Sequence, residues 1–381
     1  MSEQIRDFTD EEARRALVFK WGMVKDPSVL PAWVAEMDYA WAPAVTAAVK
    51  DAVDAGVGGY PVFRPGGELG AAYSGFAARH YGQQVDPEQV TPVSDVTAGV
   101  RVAIDVLSEP GPLVLPVPAY DPQFGVAAVC GREHILVETG PDQQDATLNV
   151  AGIDAALARG GRTVLLTQPH NPLGRAYTRA ELEALREVVT RHGARVVSDE
   201  IHAPLVLSGA THVPYLSLPG TAEHAVAVVA ASKAFNTAGL RCAQIITNHA
   251  PTFARLQAEP AARNDSWSPL GVVAAVAAYT DGDAWLAALI ARLDAQRTLL
   301  TSLLAEHLPK ARMRPLEATY LAWLDLRDYG HDDPAVPALA GGVRLSPGRI
   351  YHPGLAGHAR LNIATSPARL TEIVRRLGAA L

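Results

Sequence analysis

Short apolar runs, rich in β-branched residues, alternate with helix-period stretches through the middle of the chain. The runs predict strands at Leu113–Val117, His134–Glu138, Thr163–Thr167, Arg195–Asp199, Ala225–Ala230 and Gln244–Thr247. Between them, Arg179–Arg191 places Leu182, Leu185, Val188 and Val189 on one face, which predicts a helix. Several strand runs are continuously apolar rather than alternating. Strands covered on both faces read this way, so the pattern predicts a mostly parallel α/β sheet. Pro169, Pro172 and Gly174 punctuate the end of one strand and Pro204 follows another. Ligands in such sheets bind beyond the carboxyl ends of the strands, and the candidate chemistry falls there.

Near residue 280 the pattern changes. A long helical run covers about Ala284–His307, alternating segments follow at Thr319–Leu324 and His358–Ile363, and a last helix runs from about Pro367 to Ala380. These predict a smaller α+β unit. The stretch up to Ala42 is rich in Trp and Pro and has too little pattern for a core of its own. It is expected to pack against the C-terminal unit or a partner subunit. The expected organisation is a large domain over residues 43–278 and a small one built from 1–42 and 279–381.

Composition narrows the class. The chain has 381 residues, 49% hydrophobic and 19% charged, with net charge −7. No basic face points to nucleic acid. No apolar run reaches membrane-span length, and residues 1–20 are too charged for a signal peptide. Cys130 and Cys242 cannot form a disulfide framework and are expected to be buried small hydrophobes, which suits a cytoplasmic protein. No metal-ligand spacing stands out, since His192 and His202 are too scattered for zinc.

Arginine outnumbers lysine 28 to five, so arginine serves where a plain positive charge is wanted. Lys233 follows the apolar run Ala225–Ala230, where a solvated charge is not expected. A desolvated amine can deprotonate and condense with a carbonyl, which a guanidinium cannot. The alternative is a strand-end lysine reaching water. In Pro169-His170-Asn171-Pro172-Leu173-Gly174-Arg175, Asn171 is held between prolines and aimed, as suits a ligand oxygen. A plain turn would use the same residues. Asp199, in Ser198-Asp199-Glu200-Ile201-His202, ends a buried strand, where an acid needs a positive partner such as a protonated pyridine nitrogen. The alternative is a helix N-cap. His202 either faces the same pocket or is structural. Arg241 offers a fork of donors for phosphate or a surface ion pair. Asp95-Val96-Thr97 opens a helical stretch to about Leu107, where free N–H groups bind phosphate, with Asp95 as a simple cap in the alternative.

In order, these motifs resemble the fold-type I pyridoxal-phosphate enzymes of the aminotransferase class I/II superfamily. They are most similar to the MalY/PatB-type cystathionine β-lyase, or C–S lyase, branch. The resemblance runs from about Trp21 to the C-terminus. It includes Leu30-Pro31-Ala32-Trp33-Val34-Ala35-Glu36-Met37-Asp38, Gly59-Tyr60-Pro61, Pro118-Ala119-Tyr120, the segments around Asn171, Asp199 and Lys233 (Ser232-Lys233-Ala234-Phe235-Asn236), Ala318–Trp323 and Ala359-Arg360-Leu361-Asn362.

The resemblance implies a mostly parallel seven-stranded sheet in a large cofactor-binding domain, a smaller α+β domain and a homodimer. Pyridoxal 5'-phosphate would be the cofactor and a small amino acid the substrate. Lys233 would hold the cofactor through its amine and remove the α-proton, Asp199 would pair with the ring nitrogen, and Tyr120 would stack on the ring. Asn171 and His202 would lie near the ring hydroxyl. Val96, Thr97, Ser232 and Arg241 would hold the phosphate, with Tyr60 arriving from the other subunit. Arg360 would bind the substrate carboxylate, with Asn171, Trp33 and Tyr351 beside the substrate. The implied reaction is β-elimination of a thiol from cystathionine or another cysteine thioether, leaving pyruvate and ammonia. The same residues would serve an aminotransferase or a specialised decarboxylating or oxidative enzyme. Departures from the family pattern fall at Thr167-Gln168, Leu173, Ala230-Ala231, Trp267 and Arg349-Ile350-Tyr351-His352, mostly on the substrate side.

Overall fold

Seven strands form the main sheet of the computed structural model, which describes residues 4–139, 145–352 and 354–381. They are β1 (Val90–Val93), β2 (Leu113–Val117), β3 (His134–Glu138), β4 (Thr163–Thr167), β5 (Arg195–Asp199), β6 (Ala225–Val229) and β7 (Ala243–Ile246). Their spatial order is β1-β7-β6-β5-β4-β2-β3, with β7 antiparallel to both neighbours and the other pairs parallel. Every residue of β2, β4 and β6 is buried, as continuous apolar runs require. Strand β1 escapes sequence reasoning because Pro92 lacks a ladder donor. It is tolerated at the sheet edge, beside β7 alone.

The helices flanking the sheet start and stop where side chains cap them. Arg179–His192 opens with a capping box between Thr178 and Glu181 and closes at Gly193, whose φ of 58° suits a residue without Cβ. Val96–Leu107 is capped by Asp95, which accepts from the Ala98 N–H at 2.9 Å.

Beyond the helix Asp283–His307, strands β8 (Leu321–Asp325), β9 (Ser346–Pro347) and β10 (His358–Asn362) make an antiparallel sheet in the order β9-β10-β8. The helices Asp283–His307 and Pro367–Ala380 pack together beside it. The N-terminal segment joins this unit, with Leu30–Pro31 pairing in parallel with Val343–Arg344. Its anchor is a buried charge cluster. Lys20 Nζ donates to Asp38 Oδ1 at 2.9 Å, the Trp21 indole N–H donates to the same oxygen at 2.7 Å, and Arg369 lies 3.4 Å from Asp38 Oδ2. Cys242 is buried as expected, whereas Cys130 is only half-buried, because it caps the exposed end of the helix Asp121–Val129. No single helix among the described residues is long and apolar enough to cross a membrane.

Candidate active site

Parallel strands of one sheet deliver their C-terminal residues to one edge. Tyr120 follows β2, Asn171 follows β4, Asp199 ends β5 and Lys233 follows β6, and all four line one cleft of about 190 Å³. Val96, Thr97, His202, Ser232 and Arg241 line it too. Nine residues expected from the sequence therefore meet in one place.

Lys233 sits in a single helical turn, Ser232–Phe235, closed by Asn236 with a left-handed φ of 59°. Its Nζ donates to the Ala35 carbonyl at 3.1 Å, and the Tyr320 hydroxyl donates to the same oxygen at 3.0 Å. Burial draws the amine below the ordinary lysine range; Arg360 adds to that, while Glu36 and Asp199 oppose it. Burial pushes Asp199 up to about 6, against the Ile201 N–H and Gln123, which favour the carboxylate. Burial also draws His202 down to about 3, so the ring is neutral near pH 7, with Nδ1 buried and without a partner among the described residues.

Arg360, on β10, reaches across to the large sheet. Its Nη1 donates to Asn171 Oδ1 at 2.9 Å and its Nη2 to the Trp33 carbonyl at 2.7 Å. The guanidinium lies 5.1 Å from the Tyr351 ring, and its buried Nε has no acceptor among the described residues. Trp33 thus meets Arg360 through its backbone, and its own indole N–H bonds the Lys20 carbonyl.

Arg241 forms an ion pair, its Nη2 2.5 Å from Asp95 Oδ2. It nevertheless remains on the cleft wall, beside the free N–H groups at the start of Val96–Leu107. Tyr60 is 92% exposed and does not line the cleft of its own chain. Trp267 packs edge-on against Phe63 at 5.5 Å and lines a different cavity. Leu173 is buried with Trp323 and Tyr351. Arg349 turns outward to Asp332, and His352 lies 3.0 Å from Glu138.

Other residues that matter here were missed by sequence reasoning. Asn236 clamps the segment 33–38 by exchanging hydrogen bonds with Met37 and donating to Tyr39, and Asn362 donates to the Val34 and Glu36 carbonyls at 2.6 Å each. These clamps present the Trp33 and Ala35 carbonyls to Arg360 and Lys233. Both asparagines end motifs already quoted, which was the available signal. Gln123, which donates toward Asp199, carries no motif signal.

The arrangement suits an aromatic, anionic ligand with a basic ring nitrogen. Asp199 has N–H donors but no ion pair among the described residues. The Thr97 and Ser232 hydroxyls, the N–H groups at the start of Val96–Leu107 and the Arg241 guanidinium line the same cleft.

The chain is similar to known proteins along nearly its whole length. The family model for aminotransferase class I and II matches residues 34–377. The cystathionine β-lyase of Corynebacterium glutamicum is 35% identical over 97% of this chain and 98% of its own. The cystathionine β-lyase PatB of Bacillus subtilis is 35% identical over 92% of each. The crystal structure of a PLP-bound C–S lyase from Staphylococcus hominis superposes with a TM-score of 0.88 at 25% identity, covering 96% of this chain and 94% of that one.

Proposed function

We propose that this chain, which belongs to the aminotransferase class I and II family, is a pyridoxal-phosphate-dependent carbon–sulfur β-lyase acting on cystathionine and related cysteine thioethers. The observation that carries the reading is the meeting of the Lys233 amine and the Asp199 carboxylate in one cleft, with the Arg360–Asn171 pair beside it.

The cleft fits the cofactor. Asp199 is a buried acid to which the described residues supply N–H donors and no salt bridge, so a protonated ring nitrogen would complete it. Thr97, Ser232, Arg241 and the helix N–H groups at Val96 and Thr97 would hold the phosphate. Lys233 would hold the aldehyde carbon and Tyr120 would lie against the ring.

When bound, pyridoxal phosphate supplies an electron-poor ring that accepts the charge left on the substrate α-carbon. Asp199 would hold its negative charge toward the ring nitrogen. Lys233 Nζ, drawn down by burial, is available as a base to take the α-proton. Arg360 binds the α-carboxylate through its donor fork and so orients the Cα–H bond. Asn171 spends its oxygen on Arg360 and keeps its N–H donors for a ligand oxygen. With cystathionine and one water, the products are homocysteine, pyruvate and ammonia.

A homodimer belongs to the same proposal. Tyr60, Val53, Val57, Val62 and Phe63 expose apolar surface on one stretch of chain, and Tyr60 would reach the phosphate end of the partner's cleft. A cytoplasmic location accords with two unpaired cysteines.

The test is to incubate cofactor-loaded protein with L-cystathionine and several cysteine thioethers, following pyruvate and thiol. Equal amounts of both, over many turnovers, are expected. A lasting pyridoxamine spectrum with no pyruvate would overturn the lyase in favour of an aminotransferase.

A further inference from the structure

Gln123 lies in the first turns of the helix that follows Tyr120, and it is 4% exposed. Its Nε2 donates to Thr167 Oγ1 at 2.7 Å and to Asp199 Oδ2 at 3.3 Å. Its own Oε1 is buried and receives no donor from the described residues. The other oxygen of Asp199 accepts from the Ile201 N–H at 3.2 Å.

A buried amide that leaves its carbonyl unsatisfied gives up a hydrogen bond. Turning the amide over would set Oε1 against a carboxylate oxygen, so the orientation found is the one an ionised Asp199 selects. Each carboxylate oxygen has two lone pairs. With one N–H on each, a face remains open for a third partner. Thr167 and Asp199 stand side by side on paired strands, so the threonine braces the amide that holds the acid.

The groups around Asp199 pull in both directions. Burial and the neighbouring Glu200 favour its neutral form, while Lys233, the Ile201 N–H and Gln123 favour the anion. Tyr120, from the start of the same helix as Gln123, and His202 also face the cleft, both uncharged near pH 7.

We propose that Gln123, braced by Thr167, is a positioning residue that holds Asp199 ionised and aimed at the protonated ring nitrogen of the cofactor. It thereby sets how tightly, and down to what pH, the cofactor is retained. The inference rests on the cofactor reading above.

Three variants test it: Gln123→Leu removes the donor at nearly constant volume, Gln123→Glu replaces it with an acid, and Thr167→Val, at a residue that also lines the cleft, removes the brace while keeping the Gln123 amide. For each, the dissociation constant of pyridoxal phosphate and the pH midpoint of its retention are measured by absorbance, with thermal melting of the cofactor-free protein as a check on folding. Loss of one charge-assisted bond predicts cofactor binding about tenfold weaker in Gln123→Leu. Losing an N–H donor also raises the Asp199 pKa, so retention should fail at a higher pH than in wild type. Gln123→Glu should shift further in the same direction and Thr167→Val less. If Gln123→Leu does not fold, Thr167→Val decides. Binding within twofold of wild type at an unchanged midpoint, in a folded variant, overturns the role of Gln123 and leaves the cofactor reading standing. A wild-type protein that binds no pyridoxal phosphate overturns both.

Discussion

Replacing Lys20 with methionine should destabilise the protein strongly, although Lys20 lies outside the catalytic cleft. The ammonium has no solvent exposure and sits 2.9 Å from Asp38 Oδ1, and Asp38 is equally buried. Removing one partner of a buried ion pair costs about 3–5 kcal/mol, because the remaining charge keeps its desolvation penalty and loses its compensation. Asp38 would retain the Trp21 N–H at 2.7 Å and Arg369 at 3.4 Å. Methionine restores most of the lost volume, so the lower end, about 3 kcal/mol, is expected. That is a large share of the roughly 5–15 kcal/mol that holds a domain together. The loss should reach the active site through segment 33–38, whose Trp33 and Ala35 carbonyls meet Arg360 and Lys233. KM should therefore rise more than kcat falls. Urea unfolding of the cofactor-free protein, followed by tryptophan fluorescence, measures the change at constant m-value. A loss below about 1 kcal/mol would refute the reasoning, since Asp38 would then have been satisfied without its ammonium.

Lys233→Ala should remove turnover and the visible absorbance of lysine-bound cofactor together; ordinary activity would refute its assignment. Arg360→Ala should lower kcat/KM for free amino-acid substrates by about 100-fold or more, through loss of a two-point charged contact, and should matter much less for an α-carboxamide analogue. Equal losses on both substrates would mean that another group holds the carboxylate. In acid, the neutral buried His170 and His202, both drawn to about 3 by burial, should make the cofactor-free protein unfold. The unfolded chain takes these protons first, near the ordinary value of about 6.5, so stability is full above that pH and is lost as pH falls toward 3. Each histidine should contribute a slope of about 1.4 kcal/mol per pH unit, and replacing His202 with Asn should flatten the curve measured by urea titration at several pH values.

The sequence by itself determined the parallel sheet, because continuous apolar runs such as Thr163–Thr167 have one stable environment, between two helical layers. It also placed Asp199, Asn171 and Lys233 at strand ends, where this topology gathers them on one edge without any knowledge of the tertiary contacts. The edge strand Val90–Val93 was lost to Pro92, a local signal that edge position overrides. What the tertiary structure alone decided lies in pairings between distant residues. Arg360 meets Asn171 across 189 positions of sequence, and Lys20 meets Asp38 inside the core rather than at the surface. Gln123 reads as an ordinary helical residue until packing sets its amide against Asp199. Periodicity reports which face of an element is buried. It carries no record of which polar group waits on the other side, because that contact exists only once separate elements have come together.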